Sequence, residues 1–202
     1  MIVIVDYGVG NLHSVAKAME KVGAKAAVSS DAAAVAAADR LILPGVGSFG
    51  HCMKNLSECG LAETVKDYAR SGRPFLGICV GMQILFDGSE ESPGVPGLGI
   101  LPGMVRRLPD RGLKIPQIGW NCLDFRAETP LFCGLPAKEY VYFVHSYHAE
   151  PLDRGIIAAS AEYGATVTAA VVRGNIWATQ FHPEKSGEAG LTILSNFKDV
   201  KI

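Results

Sequence analysis

The stretch Gly77-Ile78-Cys79-Val80-Gly81 constrains this chain more than any other. Before it lies Pro74-Phe75-Leu76, a short apolar run that reads as a buried strand. After it comes Met82-Gln83-Ile84-Leu85-Phe86, which reads as the first turns of a helix. Gly-x-Cys-x-Gly at a strand-to-helix junction is the thiol version of the nucleophile elbow. So sharp a turn strains the backbone of its central residue and leaves no room for a Cβ two residues to either side. The expectation is a Cys79 sulfur pushed into solvent at a helix N-terminus, where the dipole and free N–H groups favour the thiolate.

The chain before the elbow alternates strand and helix signals. Ile2-Val3-Ile4-Val5 is a continuous apolar run, the pattern of a central parallel strand. Asn11 is placed to cap a helix from Leu12 to about Lys21, and Gly23 to stop it. Ala26-Ala27-Val28 reads as a strand, Asp31 as the cap of an alanine-rich helix to Ala38, and Leu41-Ile42-Leu43 as a third strand. Helical pattern resumes from Gly50 to about Ser71, with a break at Gly60. After Gly88 the candidates are shorter strands: 105–108, 117–120, 140–147, 156–161, 167–172 and 176–181, with Gly174-Asn175 as a hairpin turn. A last helix covers about Glu188 to Phe197. The pattern predicts an α/β fold: an open, mostly parallel sheet with helices on both faces, and a smaller antiparallel region in the C-terminal half. With no clear linker or repeat, one domain over 1–202 is expected.

Composition narrows the function. Nineteen basic against twenty acidic side chains give a net charge of −1, with no basic excess for nucleic acid and no polybasic stretch for a membrane surface. The four apolar residues between Met1 and Asp6 are too few for a secretory signal, so a cytoplasmic protein is expected. Five irregularly spaced cysteines read as reduced thiols. Cys52 and Cys59, seven apart on a predicted helix, are expected to share one core face.

A cysteine nucleophile needs a base, and the base needs an orienting partner. In Gln180-Phe181-His182-Pro183-Glu184 an extended chain would put His182 and Glu184 on one side, so that Glu184 accepts from one ring nitrogen and leaves the other for Cys79. The glycines of Pro44-Gly45-Val46-Gly47-Ser48-Phe49-Gly50 let N–H groups turn inward; with the N–H of Val80, one of them would hold a developing oxyanion. Gly45, Gly47 and Gly50 also match a dinucleotide-binding spacing, but the next strand ends in Cys79 rather than in an acid for a ribose. Glu90-Glu91 follows the elbow closely enough to reach a ligand's ammonium. His145 and His148 are expected to face opposite sides of a strand, and His13 and His51 to lie on helix surfaces. No metal and no cofactor is expected.

With these motifs the chain resembles the class I, triad-type glutamine amidotransferases. Gly77 to Gln83 is similar to their nucleophile motif. Within that family the pattern is closest to the glutaminase subunits of imidazole glycerol phosphate synthases. The segments 6–12, 43–47, 117–121, 142–147 and 182–186 resemble signatures of that subfamily, in order. Val80 departs from the leucine more usual there. The resemblance implies Cys79 as nucleophile, His182 as acid/base and Glu184 as its orienter. It implies Gly47 and Val80 at an oxyanion hole, and Gln83, Glu91, His145 and Ser146 around glutamine. Trp120, Tyr142 and Lys185 would lie at an interface with a cyclase subunit, a (β/α)8 barrel joined as a heterodimer. The Gly45-Val46 peptide would flip to complete the hole. A glutaminase of another pathway and a stand-alone cysteine hydrolase are the alternatives.

Overall fold

The computed structural model describes residues 1–201. Its elements in order are β1 (Ile2–Val5), α1 (Leu12–Lys21), β2 (Ala26–Ser29), α2 (Ala32–Ala37), β3 (Arg40–Gly45), α3 (Phe49–Glu58), α4 (Ala62–Arg70), β4 (Phe75–Cys79) and the single turn α5 (Val80–Gln83). There follow β5 (Gly88–Ser89), β6 (Gly103–Arg107), β7 (Gln117–Phe125), β8 (Glu139–His145), β9 (Tyr147–Pro151), β10 (Ile157–Glu162), β11 (Thr166–Arg173), β12 (Ile176–Thr179) and α6 (Gly187–Asp199). Among the described residues no helix is long and apolar enough to cross a membrane.

The main sheet has nine strands in the order β2-β1-β3-β4-β12-β11-β10-β7-β8. The first five are parallel and the last four ladders antiparallel. β1 and β4 are buried along their whole length, as strands covered on both faces must be. α1 packs with α6, and α2 and α3 with α4, which places helices on the two faces of the parallel half. The expected α/β architecture is therefore present. The antiparallel strands continue the same sheet, and β5, β6 and β9 form a second, small one.

Several local expectations fail for identifiable reasons. The helix after the elbow stops at Gln83 because the next N–H groups bond elsewhere: Leu85 to Met82 O and Phe86 to Gln83 O in tighter 3-10 steps, and Asp87 to Gly103 O. The expected strand 140–147 breaks at Ser146 into β8 and β9, which belong to different sheets. Cys52 is buried but Cys59 is exposed at the end of α3, so they do not share a core face. Asn11 stands at the start of α1 without capping it; Asp31 does cap α2, accepting from Ala33 N–H.

Backbone contact at the elbow fixes the ends of β3 and β4. Gly45 and Cys79 are register partners. A Cβ on Gly81 would overlap the Leu43 carbonyl, and one on Gly77 would lie 2.9 Å from the Gly81 carbonyl. Gly81→Ala is expected to cost about 3 kcal/mol of stability, because the atoms in its way are backbone and cannot rotate aside. Chemical unfolding checks this; an unchanged midpoint would refute it.

Candidate active site

Cys79 ends β4 with φ +56° and ψ −114°, the only non-glycine residue with positive φ among those described. Such a conformation persists only where surrounding contacts over-determine it, and the glycine contacts supply them. The side chain is not in open solvent, as the turn alone suggested; only 4% of Cys79 is exposed. It points into a cavity of about 390 Å³. Because α5 is one turn long, it offers little dipole; any stabilisation of a thiolate must come from neighbouring side chains.

One of these is His182, buried and lining the same cavity. His182 Nδ1 lies 2.8 Å from Glu184 Oε1. The meeting is not made by an extended chain. Pro183–Lys185 form a 3-10 turn that brings the carboxylate back beneath the ring. The turn sits tightly on α6, where Gly190 leaves no room between helix and Pro183 carbonyl. The backbone of His182 is tied as well: its N–H donates to Tyr142 O, and its carbonyl accepts from the Ser186 hydroxyl at 2.6 Å. Glu184 Oε1 also accepts from Asn11 Nδ2 at 3.2 Å, so the Asn11 side chain is turned to Glu184.

His182 Nε2 is buried without a hydrogen-bond partner, which in an active site marks a group waiting for one. Burial works against the imidazolium. The Cys79 sulfur and the Glu184 carboxylate outweigh it and raise the His182 pKa to about 10. A thiol and an imidazole lining one cavity, with a carboxylate behind the ring, are the chemical parts of a nucleophile and its base.

Gly47, Val80, Gln83, Glu91, His145, Ser146 and Lys185 line the cavity with Cys79 and His182. Gln83 donates to Tyr147 O and to Gln180 Oε1, both at 3.0 Å, which leaves its oxygen for a ligand. Gln180 in turn donates to the Cys79 sulfur at 3.8 Å. His145 keeps neither ring nitrogen free. Nδ1 donates to Tyr147 O at 2.9 Å, and Nε2 faces the Gln117 amide at 3.0 Å. Burial pushes the His145 pKa down to about 4, so the ring is neutral and Nε2 must accept. The Gln117 group facing it is then the amide nitrogen.

Glu91 Oε2 accepts from Phe49 N–H at 2.8 Å, the Ser92 hydroxyl from Gly50 N–H at 3.0 Å, and the Ser48 hydroxyl from His51 N–H at 3.3 Å. The first N–H groups of α3 are thus occupied, one by a carboxylate. A dinucleotide's pyrophosphate would need those donors, so this loop is not built for one. Trp120 and Tyr142 lie outside the cavity, ring centroids 6.2 Å apart, with Lys185 Nζ 5.9 Å from the Tyr142 centroid. His145 and His148 do part ways: His148, on β9, lines a different cavity. Asn11, Gln180 and Tyr147 were not assigned to the site by sequence reasoning.

The sequence pattern of the family described as glutamine amidotransferase class-I matches residues 3–200. The chain belongs to that family. Curated relatives named imidazole glycerol phosphate synthase subunit HisH include one from Syntrophotalea carbinolica, 53% identical and covering 99% of this chain and 100% of its own. Another, from Methanothermobacter thermautotrophicus, is 52% identical over 99% and 98%. Among solved structures, a glutamine amidotransferase superposes with TM-score 0.76 at 22% identity, covering 98% and 100% of the two chains. PurLQS from Thermotoga maritima does so with 0.73 at 20%, covering 98% and 97%. These structural matches share the fold of this class-I glutamine amidotransferase.

The raised pKa of His182 sets a pH dependence. The folded chain holds this proton more tightly than the unfolded chain, whose histidine titrates near 6.5. The stabilisation is therefore complete below about pH 6.5 and is lost as pH rises through about 10. Unfolding midpoints of the native chain and of His182→Gln should converge over that interval; a constant gap would contradict the assignment.

Proposed function

We propose that this chain is the glutaminase subunit of an imidazole glycerol phosphate synthase. It hydrolyses glutamine to glutamate and ammonia through Cys79, His182 and Glu184, as one domain over 1–202. The observation that carries the reading is the Cys79 sulfur in one cavity with an unpartnered His182 Nε2, behind which Glu184 holds Nδ1. Full-length identity to the two relatives named above favours the histidine-pathway enzyme over glutaminases of other pathways, which the solved structures resemble only in fold.

In this mechanism the Cys79 thiolate attacks the side-chain amide carbon of glutamine. The carbonyl oxygen becomes an oxyanion held by backbone N–H groups at Val80 and Gly47. His182 gives its proton to the amide nitrogen, the C–N bond breaks, and ammonia leaves. Water, losing a proton to His182, adds to the glutamyl thioester and releases glutamate and the thiolate. Glu184 keeps the imidazole oriented and offsets its charge. Asn11 holds Glu184 in turn. Gln83, Glu91 and Ser146 are the cavity's polar groups for glutamine's amide and amino-acid ends. His145 serves by fixing Tyr147 O, with which Gln83 is aligned.

Ammonia in neutral water is mostly ammonium, which is no nucleophile, so the product needs a sheltered acceptor. The surface supports a partner beside the cavity. On the β7–β8 pair, Ile118 faces Val144, Trp120 faces Tyr142, and Cys122 faces Tyr140. Ile118, Trp120 and Tyr140 are each more than half exposed, an apolar stripe that water alone does not favour. Lys185 and Val144 belong both to this region and to the cavity lining. We assign the stripe to a (β/α)8-barrel cyclase subunit, joined as a heterodimer in the cytoplasm, which receives the ammonia.

Cys79→Ala is expected to abolish glutamine hydrolysis and leave co-elution with the cyclase subunit intact; residual hydrolysis would sink the nucleophile assignment. Glutaminase turnover should rise when the cyclase and its ligand are added, and equal rates with and without them would sink the coupling. Asn11→Ala should lower kcat about tenfold, the scale of one hydrogen bond to a charged group; a native kcat would remove Asn11 from the site.

A further inference from the structure

Two buried donors beneath the glycine loop have no part in the mechanism above. Tyr7, just past β1, is wholly buried, and its hydroxyl donates to Pro44 O at 2.6 Å. Cys52, on α3, is also wholly buried, and its thiol donates to Val46 O at 3.3 Å. These two carbonyls flank Gly45. The Tyr7 hydroxyl stands so close that a Cβ on Gly45 would lie 3.0 Å from it.

The orientation of Val46 O has a consequence for the next N–H. A trans peptide directs its N–H opposite to its C=O. Val46–Gly47 is trans, since the only cis peptide among the described residues is Ile115–Pro116. Cys52 draws the Val46 carbonyl into the core. The Gly47 N–H is thereby turned the other way, to the cavity side that Val46 and Gly47 line. Gly47 accommodates this at φ +81°, with open space where a Cβ would stand.

We propose that Tyr7 and Cys52 are positioning residues of the oxyanion hole: their two hydrogen bonds pin the carbonyls of Pro44 and Val46 on either side of Gly45, and the Val46 bond aims the Gly47 N–H into the cavity that Cys79 lines. This rests on the glutaminase reading above. Both groups remain donors at neutral pH. Burial pushes the Cys52 thiol up to about 11 and the Tyr7 phenol well above its ordinary range. A thiol so protonated is a poor nucleophile, and Cys52 does not line the catalytic cavity. Its chemistry is that of a donor to a carbonyl.

The test compares Tyr7→Phe, Cys52→Ala and Cys52→Ser in the full chain with its cyclase partner. Loss of either donor should lower kcat for glutamine about tenfold, with KM within twofold. A serine hydroxyl also donates to a carbonyl, so Cys52→Ser should recover most of the loss. The second measurement is the rate at which iodoacetamide alkylates Cys79, followed on its own peptide by mass spectrometry. Alkylation develops no oxyanion, so this rate should match the native chain in all three variants. A native kcat in both Tyr7→Phe and Cys52→Ala overturns the proposal. So does a fall in kcat that alkylation follows in parallel, which would mean general disruption. An unrescued Cys52→Ser removes the donor role of Cys52. A native chain that leaves glutamine intact overturns the functional reading and this proposal with it, whereas native-like variants of an active chain overturn the proposal alone.

Discussion

The close approach of two backbones at the ends of β3 and β4 is the constraint on which the site depends. Gly45, Gly77 and Gly81 bring the loop after β3 and the elbow after β4 nearer than side chains would allow. That contact holds Cys79 at its positive φ, in register with Gly45 at the start of the loop. Sheet register adds the third component. β4 pairs with β12 through Ile78 and Thr179, so the chain leaving β12 delivers His182 to the same end of the sheet. Cys79, the glycine loop and His182 thus come from three adjacent strand ends, where open α/β sheets bind their ligands.

Around this frame the buried polar groups form a connected set. Cys79, Gln180, Gln83, Tyr147 O, His145 and Gln117 are linked in sequence by hydrogen bonds. The buried His145 is neutral and satisfied, whereas His182 is charged and keeps one nitrogen open. Two histidines lining one cavity thus take opposite electrostatic states. The difference comes from what faces each ring: a carbonyl and an amide for His145, a carboxylate and a sulfur for His182.

Much of this was legible in the sequence. Continuous apolar runs marked β1, β3 and β4, and Gly-x-Cys-x-Gly marked the elbow, because each states a local physical need. The same holds for Asp31 as a cap and for Gly174-Asn175 as a turn. Non-local effects were not legible. The helix after Cys79 ended early because its N–H groups turned to 3-10 partners and Asp87 N–H to Gly103 O. The Asn11 side chain turned to Glu184, 173 residues away. His182 met Glu184 through a 3-10 turn rather than an extended segment, so the pairing was right and its geometry was not. Cys59 followed the heptad rule onto the wrong side because α3 ends there.

The curl of the antiparallel half has a further consequence. β8 is the last strand of the sheet, four places from β12, yet its Tyr142 carbonyl accepts from His182, just past β12. The strands β12, β11, β10, β7 and β8 therefore close into a ring whose clasp is the backbone of His182. In such a ring, twist anywhere along the circumference becomes displacement at the clasp. The backbone of His182 is thus held from two sides, by the chain leaving β12 beside β4 and by β8 across the ring.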